Sequence, residues 1–506
     1  MLKRIFSNTI SAYSLKVVQL LLNLIAIPIF IKYLGAEGFA LITFANVFVG
    51  YFYILDFGLT NGVTKYIAQY LATKDYNKVN QVINSTLFVF FILGSFIFLF
   101  IYSIVSLGLI NYFDVSDNLK HESISVFIIA GLISLVSWPK MILESVYKGL
   151  QDFTTLNFLL GIGRIFSVAF SILATAWFDI SIKYIFILFN LDKIFLFFIF
   201  YYLLINKLTF WKFKMGNVSF VTLKEILSFS GWVMLANLSA FLEYQIDYFI
   251  IVSMLGLSFV TDYTVIFYLF HFIQQISGLA SSAILPAVSA IQAKKDYHLI
   301  NKFIYKGSKY HNMVYVPLSM VLYIISEPFI NLWVGVYYLK YLWIVKLSIL
   351  FQVIWQSNSF LGNIYYGVGK SKKLGLLALI IGLSNLSLSL FLVDKLGLIG
   401  VILGTIIVGV CSVPFEFYWI FPDLNIVLKK YIKSLYLNVH IPLIGILLMF
   451  YPFDYYIRKI DSWFLLLFVA ILLIIIFYTF TYFLLDKHDK SYISSNMKSL
   501  LNRETT

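Results

Sequence analysis

Apolar residues run through this chain in long unbroken stretches instead of alternating with polar ones. Runs of about twenty recur, each long enough to carry a helix across ~30 Å of hydrocarbon. A membrane barrel would alternate polar and apolar over about ten residues per strand, and no such alternation occurs. The pattern predicts fourteen membrane helices. The first six lie near 10–32, 38–58, 83–111, 123–147, 155–177 and 184–205. The next six lie near 227–254, 260–285, 311–335, 342–366, 374–393 and 397–420, and a last pair near 435–452 and 463–485.

One stretch occurs twice. It opens on Leu34-Gly35, crosses a mostly apolar run and a basic amphipathic segment, and ends on Lys74-Asp75-Tyr76. The same signposts return 221 positions later as Leu255-Gly256 and Lys295-Asp296-Tyr297, and Asn80 and Ile83 pair with Asn301 and Ile304 in the same register. The expected fold is therefore an all-α polytopic membrane protein. It has a six-helix lobe over 1–210, a second over 211–425 related to it by internal repeat, an extra helix pair over 426–485, and a tail over 486–506. A duplicated helical bundle in lipid is a transporter architecture.

Composition agrees. The chain has 506 residues, 61% hydrophobic and 12% charged, more apolar surface than a soluble domain buries. The net charge of +13 would suggest nucleic acid on a soluble protein; here the cations hold short loops, and no nucleic acid is expected. With the fourteen-helix register, twenty-five of the 37 lysines and arginines fall on one side and seven on the other, leaving five inside the spans. By the positive-inside rule both termini are cytoplasmic. Lys3 and Arg4 precede the first span with no small-residue cleavage site after it, so it reads as a retained helix. The single Cys411 excludes disulfides and cysteine metal sites. Gly369-Lys370-Ser371 lacks the first glycine of a phosphate loop, and Gly161-Ile162-Gly163 lies inside a helix, where close packing is the better account. No ATPase or metal site is found and no cofactor is expected. A proton or sodium gradient would drive an active transporter of this kind.

The five intramembrane cations are Lys16, Lys140, Arg164, Lys193 and Lys346. Burying such a charge costs at least ~2.5–3.5 kcal/mol, so each implies a partner or a wet cavity. Lys16, Gln19 and Asn23 form one polar stripe on the first helix, and Asn237 stands at the Lys16 position of the repeat. Arg164 offers a bidentate fork for phosphate. For Lys16 and Arg164 a substrate contact and an internal ion pair are both open. Lys140 and Glu144, four apart, are placed to neutralise each other, and Asp192 beside Lys193 is placed to pair with Arg164 or Lys16. Lys346, one turn from a helix end, is expected to snorkel. In the second half, Glu243 and Asp247 share one helix face and are candidates for ion coupling, with Asp247 alternatively solvated near the outer interface. His271 and Gln274 form a further polar stripe, His271 as an ion-coupling candidate and Gln274, like Gln19, Asn23 and Asn237, as cavity lining.

The residues then resemble a family. Tyr33-Leu34-Gly35-Ala36-Glu37-Gly38-Phe39, followed by Leu55-Asp56-Phe57-Gly58-Leu59, is similar to the opening of Wzx-type polysaccharide-biosynthesis (O-antigen) flippases. These share a superfamily (MOP) with MATE multidrug exporters and lipid II flippases. Lys148-Gly149-Leu150-Gln151-Asp152-Phe153, Leu285-Pro286-Ala287 and Pro328-Phe329-Ile330-Asn331-Leu332-Trp333-Val334-Gly335 follow in the family's order. The resemblance implies two six-helix lobes about a V-shaped cavity, alternating access, and a cargo of oligosaccharide repeat units on undecaprenyl diphosphate. That cargo would move from the inner to the outer leaflet of the bacterial inner membrane. Other polysaccharide-assembly proteins are further partners it implies. Lys16, Arg164, Lys140 and Lys193 would hold the diphosphate, and Asp56 joins the ion-coupling candidates. A MATE-type exporter of small cationic compounds is the alternative, although it calls for an acidic cavity. A membrane sugar polymerase or acyltransferase is disfavoured by the short loops.

Overall fold

The structure is a computed structural model. It describes residues 2–109, 113–178, 180–281, 288, 291–292, 296–368, 370–485 and 489–491, without the side chains of 2–14, 229–237, 240, 243–244, 279–281, 371, 434 and 436–438. Every regular element among the described residues is helical. The first is α1 (Leu2–Tyr51), interrupted at Gly35, whose φ of 74° and ψ of 169° no helix contains. Only glycine adopts that conformation at little cost, and the break falls between the runs 10–32 and 38–58 that the sequence separates at Leu34-Gly35. Next come α2 (Leu59–Ala72), α3 (Tyr76–Ser106), α4 (Lys120–Gly149) and α5 (Phe153–Trp177). Then follow α6 (Ile182–Phe189), α7 (Leu191–Lys207), α8 (Phe220–Tyr244), α9 (Ile246–Leu255) and α10 (Phe259–Ser281).

The repeat is visible in local backbone geometry. Gly256 repeats the break of Gly35 with φ 96° and ψ 164°. Asp75 and Asp296 cap the following helices with the same φ of −85° and ψ of 77°, accepting from Lys78 N at 3.0 Å and Leu299 N at 2.9 Å. The 3-10 turn Asp117–Leu119 recurs at the same offset within the turn Val336–Tyr341. A carboxylate at an N-cap satisfies a backbone N–H that no helix can. Retention of both carboxylates in one register accounts for the repeated Asp-Tyr signature.

By length and hydropathy, nine of the described helices are able to cross a membrane, or ten if Tyr297–Ile324 and Ser326–Val334, bent by 74°, form one span. The expected count of fourteen is not reached by this standard. The runs 10–32 and 38–58 merge into Leu15–Asp56. Breaks near Gln245 and His440 leave Ile246–Leu255 and Ile441–Phe450 with ten residues each, and Asp262, His271 and Gln274 interrupt the apolar face of α10.

The chain groups into two compact units. One comprises Met1–Val265 with Gly375–Thr405, and the other Ile266–Leu374 with Ile406–Thr506. In the first, glycines let helices close together. A Cβ on Gly94 would sit 2.8 Å from Ser134 O, one on Gly161 2.9 Å from Leu15 Cδ1, and one on Gly163 3.0 Å from Leu196 Cδ1. The packing account of Gly161 and Gly163 therefore holds.

In the second unit Asp489 meets the basic residues at the start of the helix Ser308–Ile324 and just before it. Asp489, 2% exposed, accepts from Lys309 and, at 2.9 Å, from Tyr310 OH, with Lys306 Nζ 3.7 Å away. Lys309 is thus buried at 4% exposure. Burial pushes the Asp489 carboxyl up, but the hydrogen bonds from Lys309 and Tyr310 and the charges of Lys309 and Lys306 hold it below the ordinary carboxylate range. Lys346 is half-buried with its ammonium 5.4 Å from the centre of the Tyr323 ring.

Candidate functional site

Helices α1, α4, α5, α6 and α7 of the first unit bring four of the predicted cations into one electrostatic cluster. The centre is a helix break. α6 ends at Asn190 (φ −110°, ψ 12°) and α7 begins at once. Lys193 N, four residues beyond Phe189, bonds instead to Asn190 O at 3.0 Å, and the first turn of α7 is held by Ser167 Oγ, which accepts from Asp192 N at 2.7 Å. The Phe189 carbonyl is thereby released from the helical ladder. Arg164 Nη1 donates to it at 2.7 Å, and the guanidinium lies 4.1 Å from the centre of the Phe189 ring. The same Nη1 is 3.7 Å from Asp192 Oδ1, a Coulombic contact longer than a hydrogen bond.

The other cations surround this break. Lys193 Nζ donates to Asn46 Oδ1 at 3.2 Å, and Asn46 in turn donates to Ile42 O at 2.9 Å. Lys140 is paired with Glu144 on α4, as their spacing predicts. Lys193 lies within electrostatic reach of Asp192, Arg164 and Lys140, and Lys16 within reach of Arg164. Lys16 is exposed on α1. One turn on, Gln19 donates to Gly161 O at 3.3 Å, docking that stripe on α5, and Asn23 is half-buried on the same face. Among the described residues four cations face two carboxylates here, a surplus of two positive charges in a bilayer-spanning region. Such a surplus suits an anionic ligand.

A second polar cluster in the same unit surrounds Asp247, which is fully buried and not solvated at an interface. Tyr263 OH donates to its Oδ2 at 2.8 Å and Thr405 Oγ1 at 3.1 Å. Thr405 Oγ1 also lies 3.3 Å from Asn385 Oδ1, and Ser389 Oγ sits 3.2 Å from the same oxygen and 3.3 Å from Val401 O. Asp247 Oδ1 meets no hydrogen bond of ordinary geometry among the described residues. A buried carboxylate with neutral partners is stable in lipid only when protonated or when a cation joins it.

The remaining candidates are placed less centrally. Asp56, 4% exposed, accepts from Thr60 N at 3.0 Å and Thr60 Oγ1 at 2.8 Å and so closes the turn that starts α2. In the second unit His271 Nδ1 is 3.2 Å from Gln274 Oε1, with its ring against Phe267 and Phe270. The side chains of Glu243 and Asn237 lie outside the described residues. Asn46, Ser167 and the Phe189 carbonyl are components that charge counting missed, as are Tyr263, Asn385 and Thr405. The pair Asn385 and Ser389, spaced i, i+4 in an apolar run, was a signal in hand.

The family model described as "Polysaccharide biosynthesis protein" matches residues 5–292. A protein of Shigella flexneri named "Putative O-antigen transporter" is 25% identical over 398 residues, covering 75% of this chain and 89% of its own length. Among solved structures, an inward-facing multidrug resistance MATE transporter of the MOP superfamily superposes with a TM-score of 0.66 at 18% identity, over 80% of this chain and 94% of that one. The lipid II flippase MurJ in an inward closed conformation gives 0.64 at 19% identity, over 94% and 99%. These structures show the fold of the chain, that of MOP transporters. The chain is a multi-pass membrane protein and belongs to the polysaccharide biosynthesis protein family.

Proposed function

We propose that the protein is a flippase carrying undecaprenyl-diphosphate-linked oligosaccharide repeat units from the inner to the outer leaflet by alternating access of two six-helix lobes, 1–210 and 211–425. The observation that carries the reading is the cation surplus around the α6–α7 break. Arg164 has one donor group on a backbone carbonyl and only a long contact to Asp192, so it retains N–H groups for a diphosphate oxygen. Lys16 is exposed on the neighbouring helix and Lys193 donates to the neutral amide of Asn46, so neither forms a close ion pair among the described residues. Lys140, paired with Glu144, is the weakest of the four as a ligand. The lopsided loop charge supports cytoplasmic termini, the likeness to the Shigella flexneri protein supports the bacterial inner membrane, and the chain acts as a carrier, not an enzyme.

Energy input is assigned to Asp247, with Tyr263, Thr405 and Asn385 beside it. Binding and release of a proton or a sodium ion at this carboxylate would be coupled to the swing of the lobes. The deciding experiment is deletion of the gene in its own host. Accumulation of lipid-linked repeat units, reversed by the wild-type gene and not by Arg164→Ala or Lys16→Ala at matched expression, supports the reading. Absence of accumulation together with new drug sensitivity would replace it with small-molecule export.

A further inference from the structure

The segment joining α7 to α8 is bound along α3 as an extended strap. Asn84 donates to Lys212 O at 3.3 Å and accepts from Lys214 N at 2.9 Å, so one amide grips the backbone on both sides of Phe213. Asn80 Nδ2 donates to Phe210 O at 3.3 Å, Ser85 Oγ accepts from Ser219 N at 2.8 Å, and Gln81 Oε1 accepts from Thr222 Oγ1 at 3.2 Å. Asn80, Gln81, Asn84 and Ser85 form one polar stripe at the start of an otherwise apolar helix. The strap therefore has two fixed sides.

Its inner side is apolar and closed: Leu208 and Trp211 are 4% and 1% exposed. Its outer side, continued by the first turn of α8, combines exposed Lys212, Lys214 and Lys224 with Met215, Phe220 and Val221, which are 62%, 77% and 74% exposed. Residues 206–226 contain one acid, Glu225, and it is occupied by Tyr70 OH at 2.9 Å. Nearby Asp152 is paired with Lys207. No carboxylate in the strap is left to balance the three exposed lysines. Water alone is a poor surrounding for three large apolar side chains; the boundary between headgroups and acyl chains suits both halves of this surface.

We infer that the outer face of the strap is a docking surface for anionic phospholipid headgroups, with Lys212, Lys214 and Lys224 on the phosphates and Met215, Phe220 and Val221 in the acyl boundary. The test uses the full-length chain in bilayers. Cys411, the single cysteine, is replaced (Cys411→Ala), and Met215→Cys carries an environment-sensitive fluorophore. Acyl-brominated phosphatidylglycerol or phosphatidylcholine is the quencher. Quenching is expected from both lipids, with a preference for phosphatidylglycerol. Each lysine near an anionic surface contributes about fivefold, so three set an upper limit on the order of a hundredfold. The combined Lys212→Gln, Lys214→Gln, Lys224→Gln variant should bring the preference to unity, and the corresponding arginine variant should keep it. An unquenched probe, equal quenching by the two lipids in the unsubstituted strap, or loss of preference in the arginine variant would overturn the proposal.

Discussion

Arg164 is the residue on which the transport reading turns. It is held by a carbonyl, an aromatic face and a distant carboxylate, none of which uses its full donor set. Arg164→Ala is expected to lower the rate at which repeat units reach the outer leaflet by about thirtyfold or more, the effect of losing a buried charge contact of 2–5 kcal/mol. Arg164→Lys should retain part of the rate, since it keeps the charge and loses the fork. Asp247→Asn is expected to leave a folded protein whose transport in proteoliposomes no longer responds to an imposed proton or sodium gradient; an undiminished response would remove Asp247 from coupling. At this scale the sequence was informative about charge and silent about partners. Intramembrane cations stand out against apolar neighbours, so Lys140, Arg164 and Lys193 were legible, as was the Lys140–Glu144 pair. Asn46 and Ser167 are small neutral residues in apolar helices, and nothing in their spacing says which cation or backbone N–H they serve.

Among elements, contacts between helices depend on glycines that admit a neighbour. Gly161→Leu would drive a side chain into Leu15, and overpacking of this kind costs about 1–3 kcal/mol. The expected result is a lower unfolding midpoint in detergent, partly restored by Leu15→Ala in the same chain. Equal destabilisation with and without Leu15→Ala would assign the loss to something other than that contact. Helix boundaries were well marked in the sequence wherever a capping carboxylate or a turn glycine ended a run, as at Asp75, Asp296, Gly35 and Gly256. Interior breaks were not. The α6–α7 junction at Asn190 and the α8–α9 junction at Gln245 fall within continuous apolar patterns, and one polar residue inside such a run does not distinguish a break from a bent helix.

For the whole molecule, Asp489 is a structural member. Asp489 contributes stability that is fully present above its unfolded-state pKa and is lost as pH falls through its depressed folded-state value, so the contribution is intact at neutral pH and disappears only in acid. Asp489→Asn should lower the thermal midpoint at pH 7, and the difference from wild type should shrink as the pH is taken towards the acid limit. A difference independent of pH would argue against the Lys309–Asp489 pair as its source. The all-helical, multi-pass fold was legible because lipid permits few solutions, and runs long enough to cross must be helices. The docking of 489–491 was not legible, because a short polar tail carries no periodicity, and lysines beyond the spans are ordinarily solvated.

The released carbonyl of Phe189 belongs to the backbone, so every amino acid at that position supplies it. Selection on this half of the Arg164 contact would leave no mark on the identity of residue 189. It would fall instead on whatever keeps the junction broken, namely Asn190 and the hydroxyl of Ser167. A survey of relatives that looks for a compensating acid wherever the arginine is retained would then find some without one, and would mistake a complete arrangement for a defective one. The informative covariation is between position 164 and the pair 167 and 190.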